Sequence, residues 1–273
     1  MRAVDLTHAF TLLRAAPTRA ALTLTPDAAR PVGLVGWHPA TRLTETPFVA
    51  KVAAAYSAGL GTRHLAVGGA CGLQHYAGRF FLAAIGAWVQ TGVVPDPDHA
   101  AWRFRLDERG QTLAVAPPVA GGRAVDTAHE VAALLIGEHF DPITTQIRRA
   151  TRITERLAHG CLAASCASAF AALHRRAPLH HQPALAGLAR SFLDAPQWRA
   201  TRPLVELREI STPTGAALVH ERRVCCLIRL GPTHGACGTC PELDAKERRA
   251  GIVRRATAAA RGHDLPMGVP VVP

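Results

Sequence analysis

Apolar residues recur at helical spacing over most of this chain. In seven stretches they fall at intervals of three and four residues, which places them on one face of a helix. These stretches are 4–15, 47–60, 72–89, 127–138, 142–175, 184–196 and 242–261. The last stretch begins with acidic residues and continues with basic ones, an order that suits the helix dipole. The pattern therefore predicts a protein built mostly of α-helices.

Alternating apolar and polar positions indicate a few short strands. Residues 102–106 and 112–115 alternate on either side of the turn 107–110, which predicts a β-hairpin with one exposed face. Shorter apolar runs predict further strands at 203–208, 216–220 and 224–230, and a strand or buried loop at 32–36. The two patterns together predict a mainly α fold with a few short β-strands, of the α+β class.

Composition narrows the class of protein without selecting a partner. The chain has 273 residues, of which 48% are hydrophobic. This excludes a disordered chain and allows one large domain or two small ones. The 31 basic and 20 acidic residues give a formal charge of +11, and all but two of the basic residues are arginine. Such a charge permits a nucleic acid, an anionic membrane or an acidic protein as partner. Because no nucleic-acid-binding motif accompanies it, we expect no nucleic-acid partner.

The distribution of apolar residues also bears on location. Asp5 and His8 lie where a secretion signal would have its apolar run. The longest apolar stretch, Phe80–Val89, is about half of a membrane span. We therefore expect a cytoplasmic protein with no transmembrane segment, and leave open a peripheral attachment to the inner face of the cytoplasmic membrane. Cysteines are reduced in that compartment, so a group of them indicates a metal before a disulfide.

Four of the seven cysteines lie within sixteen residues. They are Cys225, Cys226, Cys237 and Cys240, whereas Cys71, Cys161 and Cys166 are scattered and are expected to be packing residues. The two-residue spacing of 237 and 240 lets both thiolates reach one metal ion. The adjacent pair can ligate together only if the chain turns there, because neighbouring side chains of a strand point to opposite faces. Such a pair suits a binuclear [2Fe–2S] core better than one small tetrahedral ion. Zinc, unligated thiols and a redox disulfide remain as alternatives.

Charged residues flank this group of cysteines. Arg222 and Arg223 precede the first pair and Arg229 follows it. Beside an anionic cluster their guanidinium groups would favour the reduced form and raise its potential, or would steer an acidic electron carrier or an anionic substrate. The alternative is a solvated face. His234, in the loop between the pairs, is a candidate for hydrogen bonding to a sulfur or relaying a proton, or is an exposed loop histidine.

The segment from Arg222 to Leu227, the ten-residue interval and the segment Cys237–Pro241 together resemble the C-terminal signature of the FhuF-like ferric-siderophore reductases. The segment Gln74–Arg79 resembles the helical body of that family more loosely. On the same helix, Gln74 and Arg79 are candidates for contact with an oxygen-rich ligand. The resemblance implies a helical body over 1–215 that docks the siderophore and a [2Fe–2S]-binding region over 216–273.

The resemblance also implies the activity. Cys225, Cys226, Cys237 and Cys240 would bind one [2Fe–2S] cluster, which would pass single electrons to Fe(III) in a siderophore, with the hydroxamate type favoured. Since the sequence has no flavin or nicotinamide motif, electrons would come from an external donor such as a ferredoxin or reduced flavin. Two other functions stay open: a non-catalytic binding module stabilised by a metal, and an iron–sulfur regulatory sensor.

Overall fold

A computed structural model describes residues 5–14, 23, 26, 31–199, 203–212 and 215–260. Helices account for most of these residues. They are α1 (Thr7–Arg14), α2 (Thr46–Gly59), α3 (Leu65–Thr91), α4 (Ala128–Ala132), α5 (Asp141–Thr151), α6 (Glu155–Arg176), α7 (Gln182–Leu193) and α8 (Ala245–Ala260). An eight-residue π-helix, Ala133–Phe140, joins α4 to α5.

The strands are short and form three small antiparallel sheets. They are β1 (Gly36–Pro39), β2 (Val93–Val94), β3 (Arg103–Leu106), β4 (Thr112–Ala116), β5 (Arg123–Ala124), β6 (Val205–Thr212) and β7 (Gly215–Arg222). The first sheet has the order β1-β3-β4, β2 pairs with β5, and β6 pairs with β7 as a hairpin. The fold is mainly α with a few short strands, as the sequence predicts. The division expected after residue 215 falls at the first residue of β7.

The long helices α3 and α6 pack against each other at the centre of the core. Helix α3 begins at Leu65, seven residues before the start that periodicity predicts. The missed turns contain Gly68 and Gly69, which lie against α2 and α5. A Cβ atom at Gly68 would overlap the carbonyl oxygen of Ala53, and one at Gly69 would lie 2.7 Å from Oγ1 of Thr151. Glycine stands here because the helices approach closely, not because the helix ends.

The expected helix over 142–175 is two helices. Helix α5 ends at Thr151, and Arg152 adopts a left-handed backbone with φ of 61°. The next helix starts at Glu155, where Oγ1 of Thr154 accepts a hydrogen bond from the Leu157 amide. A threonine N-cap satisfies one of the free amides at a helix start. The helical periodicity predicted over 142–175 is present, but the unbroken apolar pattern does not reveal the break between the two helices.

The structure also corrects two other predicted elements. The last helix begins at Ala245, because Oδ1 of Asp244 accepts hydrogen bonds from the amides of Lys246 and Glu247. Residues 224–230 are not a strand. The chain turns after β7, and a short 3₁₀-helix follows at Ile228–Leu230. That turn is the first requirement for the adjacent cysteines to reach one site.

Helix α6 is, among the described residues, the one helix long and apolar enough to cross a bilayer. However, 89% of its most apolar 18-residue window is buried inside the protein. A helix at the centre of a soluble core has the same length and composition. The expectation that the chain has no transmembrane segment stays a prediction.

Candidate metal centre

The four clustered cysteines lie in the connection between β7 and α8. Leu227 adopts a left-handed backbone with φ of 66°, which reverses the chain directly after the adjacent pair. The Leu227 amide donates a hydrogen bond to Sγ of Cys225 at 3.4 Å. In the second half of the loop, the Cys240 amide donates to the Cys237 carbonyl at 2.8 Å, which closes a tight turn. Two turns therefore point the two cysteine pairs toward each other.

The sulfurs meet in two pairs, each with one member from either half of the motif. Sγ of Cys225 lies 3.8 Å from Sγ of Cys240. The Cys226 and Cys237 side chains are near enough for each to shift the pKa of the other. Two thiolates bound at 2.3 Å to a tetrahedral metal are about 3.8 Å apart, so the first pair already has the separation of ligands on one ion. Within the described part of the chain, no three His, Cys, Asp or Glu side chains form a group that could hold a metal ion.

The site shields most of its sulfur from water. Cys226, Cys237 and Cys240 are 4%, 7% and 2% exposed, and Cys225 is half-buried. Burial raises the pKa of Cys240 to about 11, and the neighbouring Cys226 side chain together with burial raises the pKa of Cys237 well above its usual value. These thiols are protonated at neutral pH, and a metal that bound them would have to displace the protons. Cys225 is the ligand candidate at the edge that faces solvent.

Arg222 and Gln74 come together beside the sulfurs, although the sequence suggests no link between them. Arg222 is the last residue of β7 and is 2% exposed, so it is no part of a solvated face. Its Nη1 donates to Oε1 of Gln74 at 2.6 Å, and its Nη2 lies 3.9 Å from Sγ of Cys161. Burial alone would lower the pKa of the guanidinium, but the nearby cysteine sulfurs reverse the effect and raise it.

The other charged candidates lie at the surface with their own partners. Arg223 forms an ion pair with Glu206, and Arg229 pairs with Glu242 at 3.2 Å. Nδ1 of His234 hydrogen-bonds with Oγ1 of Thr233 at 2.9 Å. His234 is exposed. The alternative of a solvated face therefore describes Arg223 and Arg229 as the structure places them.

Arg79 lies on α3 one turn beyond Gln74, and its guanidinium is occupied by backbone oxygens. Nε donates to the Leu113 carbonyl at 3.0 Å, and Nη1 donates to the His75 carbonyl at 2.9 Å. Burial lowers the pKa of Arg79 to about 10. The structure therefore separates Arg79, which braces α3 against β4, from Gln74, which reaches the cysteine site.

Two cysteines expected to be packing residues border the site. Sγ of Cys71, on α3, donates to the Cys226 carbonyl at 3.5 Å. Cys161, on α6, is fully buried and accepts from Arg222. Burial raises the pKa of Cys161 to about 12. No signal in the sequence relates these residues to the motif, because they lie on helices more than 60 residues away. Cys166 is buried elsewhere in α6.

Helices α6 and α8 hold the cysteine loop closely. A Cβ atom at Gly160 of α6 would lie 2.5 Å from Cβ of Val224, and one at Gly251 of α8 would lie 3.0 Å from the Gly238 carbonyl oxygen. Arg248 of α8 donates to the Leu243 carbonyl at 3.0 Å and pairs with the buried Glu221 at 3.4 Å. The loop is thus fixed on both sides, which keeps its sulfurs in place.

The four cysteine sulfurs are the best guide to the class of site. A set of four cysteine sulfurs suits tetrahedral zinc or an iron–sulfur cluster. No protein-family model matches the chain, and no curated protein matches it. The described residues supply the thiol donors that a sulfur-ligated metal centre would need, arranged as two pairs and not as one preformed group.

Proposed function

We propose that the chain binds one [2Fe–2S] cluster through Cys225, Cys226, Cys237 and Cys240 and reduces Fe(III) held by a siderophore, as the FhuF-like reductases do. The observation that carries the proposal is the meeting of the four cysteines in two pairs across the motif. A binuclear cluster needs two thiolates on each iron, and the two pairs supply them. The adjacent cysteines then serve different irons, which removes the difficulty of their spacing.

The reaction needs an electron and a docking surface, and no nucleophile or general base. When bound, the cluster supplies one electron at a time, which it receives from an external donor such as a ferredoxin or reduced flavin. Fe(III) is a hard ion that oxygen chelators hold tightly, and Fe(II) is held far more weakly. One electron per metal therefore releases Fe(II) and leaves the chelator intact. The proposal places the reaction in the cytoplasm, with a hydroxamate siderophore as the favoured substrate.

The chain's own residues would divide the work. Because the sulfurs of Cys226, Cys237 and Cys240 are buried, water would have little access to the metal that they bind. Cys225 faces the half-exposed edge, so a docked ferric chelate approaches from that side. Arg222 places a positive charge on the buried side of the sulfurs, opposite to the direction of approach. This arrangement suits outer-sphere transfer to a chelate that need not enter the protein.

A structural metal site is the second candidate. The low exposure of three of the four sulfurs favours it, because structural sites are closed to substrate. Four cysteines also bind zinc well, and a zinc–thiolate site would carry negative charge beside Arg222 just as a cluster would. The protein would then be a binding module whose surface arginines attract an acidic partner.

Reduction of a ferric chelate separates the two functions. Protein purified without oxygen is reduced with dithionite, freed of excess reductant and mixed with a ferric trihydroxamate and an Fe(II)-trapping dye. We expect trapped Fe(II) in proportion to the reduced cluster, no reduction by Cys237→Ser, and wild-type reduction by Cys166→Ala, since Cys166 lies away from the motif. A cluster that binds and is reduced but forms no Fe(II) would support the sensor or the binding module instead.

A further inference from the structure

Arg222 is a buried cation whose hydrogen-bond partners are all neutral. Nη1 donates to Oε1 of Gln74 at 2.6 Å, Nε donates to the Val224 carbonyl at 3.1 Å, and Nη2 lies 3.9 Å from Sγ of Cys161. Among the described residues, none of its hydrogen bonds or ion pairs joins it to a carboxylate. A buried ion is costly unless an opposite charge accompanies it. The site therefore calls for an anion next to Arg222.

The sulfurs of the site are the groups that can supply this anion. The electrostatic neighbours of the guanidinium are Cys226, Cys161 and Cys237. Two of them belong to the proposed ligand set, and ligation keeps their thiolates charged. A [2Fe–2S] centre with four thiolates has about two negative charges when oxidised and three when reduced. The charge of Arg222 thus complements the occupied site, and more so after reduction.

The neighbouring arginines differ from Arg222 in two ways: they are exposed to solvent, and carboxylates pair with them. Arg223 pairs with Glu206 and Arg229 pairs with Glu242, and all four side chains are at least a third exposed. Solvent and the paired carboxylates weaken the field of these two guanidinium groups at the sulfurs. Of the three arginines around the motif, Arg222 is the one whose charge acts undiminished on the buried sulfurs.

Gln74 fixes the position of that charge. Its side chain accepts the short hydrogen bond from Arg222, and its main-chain carbonyl accepts from Oγ of Ser165 on α6 at 3.1 Å. The residue therefore joins α3, α6 and the end of β7 at one point. A neutral amide satisfies the guanidinium and leaves its charge uncancelled, whereas a carboxylate at the same place would cancel it.

We propose that Arg222, positioned by Gln74, is the buried counter-charge that sets the reduction potential of the centre. The proposal rests on the proposed function, since it needs a redox-active cluster on the four cysteines. A fixed positive charge next to the sulfurs stabilises the added electron and raises the potential. Gln74 touches no substrate in this account and acts only through Arg222, so it is a positioning residue.

The test compares the reduction potential of the wild type with that of a variant that has a negative charge at position 74 and a side chain of nearly the same size. Gln74→Glu keeps the size of the side chain and places a carboxylate on Arg222. Gln90→Glu is the matched control, on the same helix about 24 Å further along. Potentials are measured by redox titration followed by EPR and visible absorption. We expect Gln74→Glu to have a more negative potential than the wild type, and Gln90→Glu to match the wild type. Equal potentials in all three cluster-bound proteins would overturn the proposal.

A third variant covers the case in which Gln74→Glu fails to hold a cluster. Gln74→Met removes the acceptor without adding charge. Retention of the cluster by Gln74→Met and its loss by Gln74→Glu would support the counter-charge, because only the charge distinguishes the two effects. Loss in both would show that the site tolerates no change at Gln74 whatever its charge, and would overturn the proposal. A wild-type protein without iron would overturn the proposed function itself, which separates the two failures.

Discussion

Leu227 has a backbone conformation that leucine rarely adopts. Its φ of 66° lies in the left-handed region, where non-glycine residues are strained. Its side chain packs against the buried cluster of Tyr56 and Leu60, and its amide donates to Sγ of Cys225. Packing and the hydrogen bond offset the strain. The result is the turn that allows two adjacent cysteines to face one site.

Substitution of Leu227 tests whether the backbone or the side chain matters more. We expect Leu227→Val to lower the free energy of unfolding by about 1–3 kcal/mol and to reduce bound metal, because a β-branched residue resists positive φ. Leu227→Asn tolerates this φ but loses the apolar contact, so it is the matched variant and should retain more metal. Metal content per chain and denaturant unfolding measure both effects. Greater loss in the Asn variant would show that side-chain packing dominates.

At the scale of elements, α6 approaches the cysteine loop through a glycine. Gly160 faces Val224, the residue directly before Cys225. Any side chain at Gly160 must push Val224 away, and the displacement passes to Cys225, the first proposed metal ligand. The close contact of helix and loop therefore restricts where Cys225 can lie.

A methyl group at Gly160 should disturb the site from the helix side. We expect Gly160→Ala to lower the free energy of unfolding by about 1–3 kcal/mol, as overpacking does, and to reduce metal content. Adding Val224→Gly should restore part of both, because it removes Cβ, Cγ1 and Cγ2 of Val224, which are the atoms that the new methyl group would meet. The control is Gly187→Ala on the exposed face of α7, where a Cβ meets no atom and stability should rise by up to about 1 kcal/mol. A Gly160→Ala protein as stable and as metal-rich as the control would contradict the close contact.

The elements also show what periodicity can and cannot predict. The hairpin of β3 and β4 follows from alternation around a turn, since its register is local. The break between α5 and α6 does not, because apolar spacing continues through Thr154 while the cap is a hydrogen bond of one side chain. The predicted strand over 224–230 was wrong for a similar reason. The apolar residues of this segment pack a turn against α2 and α3. A turn of this kind has no regular spacing of apolar residues by which the sequence could reveal it.

For the whole molecule, the same limit applies: the sequence indicates the proposed ligands but not the residues that surround them. The four cysteines could be predicted as a set because they lie within one short segment with chelating spacing. The contact of Gln74 with Arg222 joins residues 148 positions apart and forms because α3 and β7 both pack on α6. The sequence suggested each residue separately but could not indicate that they meet. Cys71 and Cys161 were missed for the same reason.

The stability of the whole fold should fall in mild acid because of a buried histidine. His139 is fully buried, stacks on Phe80, and hydrogen-bonds with the Tyr76 hydroxyl and the Pro97 carbonyl. Burial lowers its pKa to about 3, whereas an unfolded histidine titrates near 6.5. Between these values the unfolded chain binds a proton that the folded chain does not, so acidification favours unfolding.

The pH dependence of the free energy of unfolding is set here by the one proton that His139 binds on unfolding. We expect His139 to contribute a decrease of about 1.4 kcal/mol in the free energy of unfolding per pH unit below about 6. Denaturant unfolding of the wild type and of His139→Gln at pH 7, 6 and 5 measures it. The variant should be less stable at pH 7 and less sensitive to acid. Equal pH dependence in the two proteins would show that His139 is protonated in the fold.

The central claim is that the four cysteines of the C-terminal motif hold one [2Fe–2S] cluster. Metal analysis of anaerobically purified protein, with EPR after dithionite reduction, tests it most directly. The account predicts about two iron ions per chain and a half-integer-spin EPR signal, both lost in Cys237→Ser and both kept in Cys166→Ala. Stoichiometric zinc without iron, or wild-type iron content in Cys237→Ser, would contradict it.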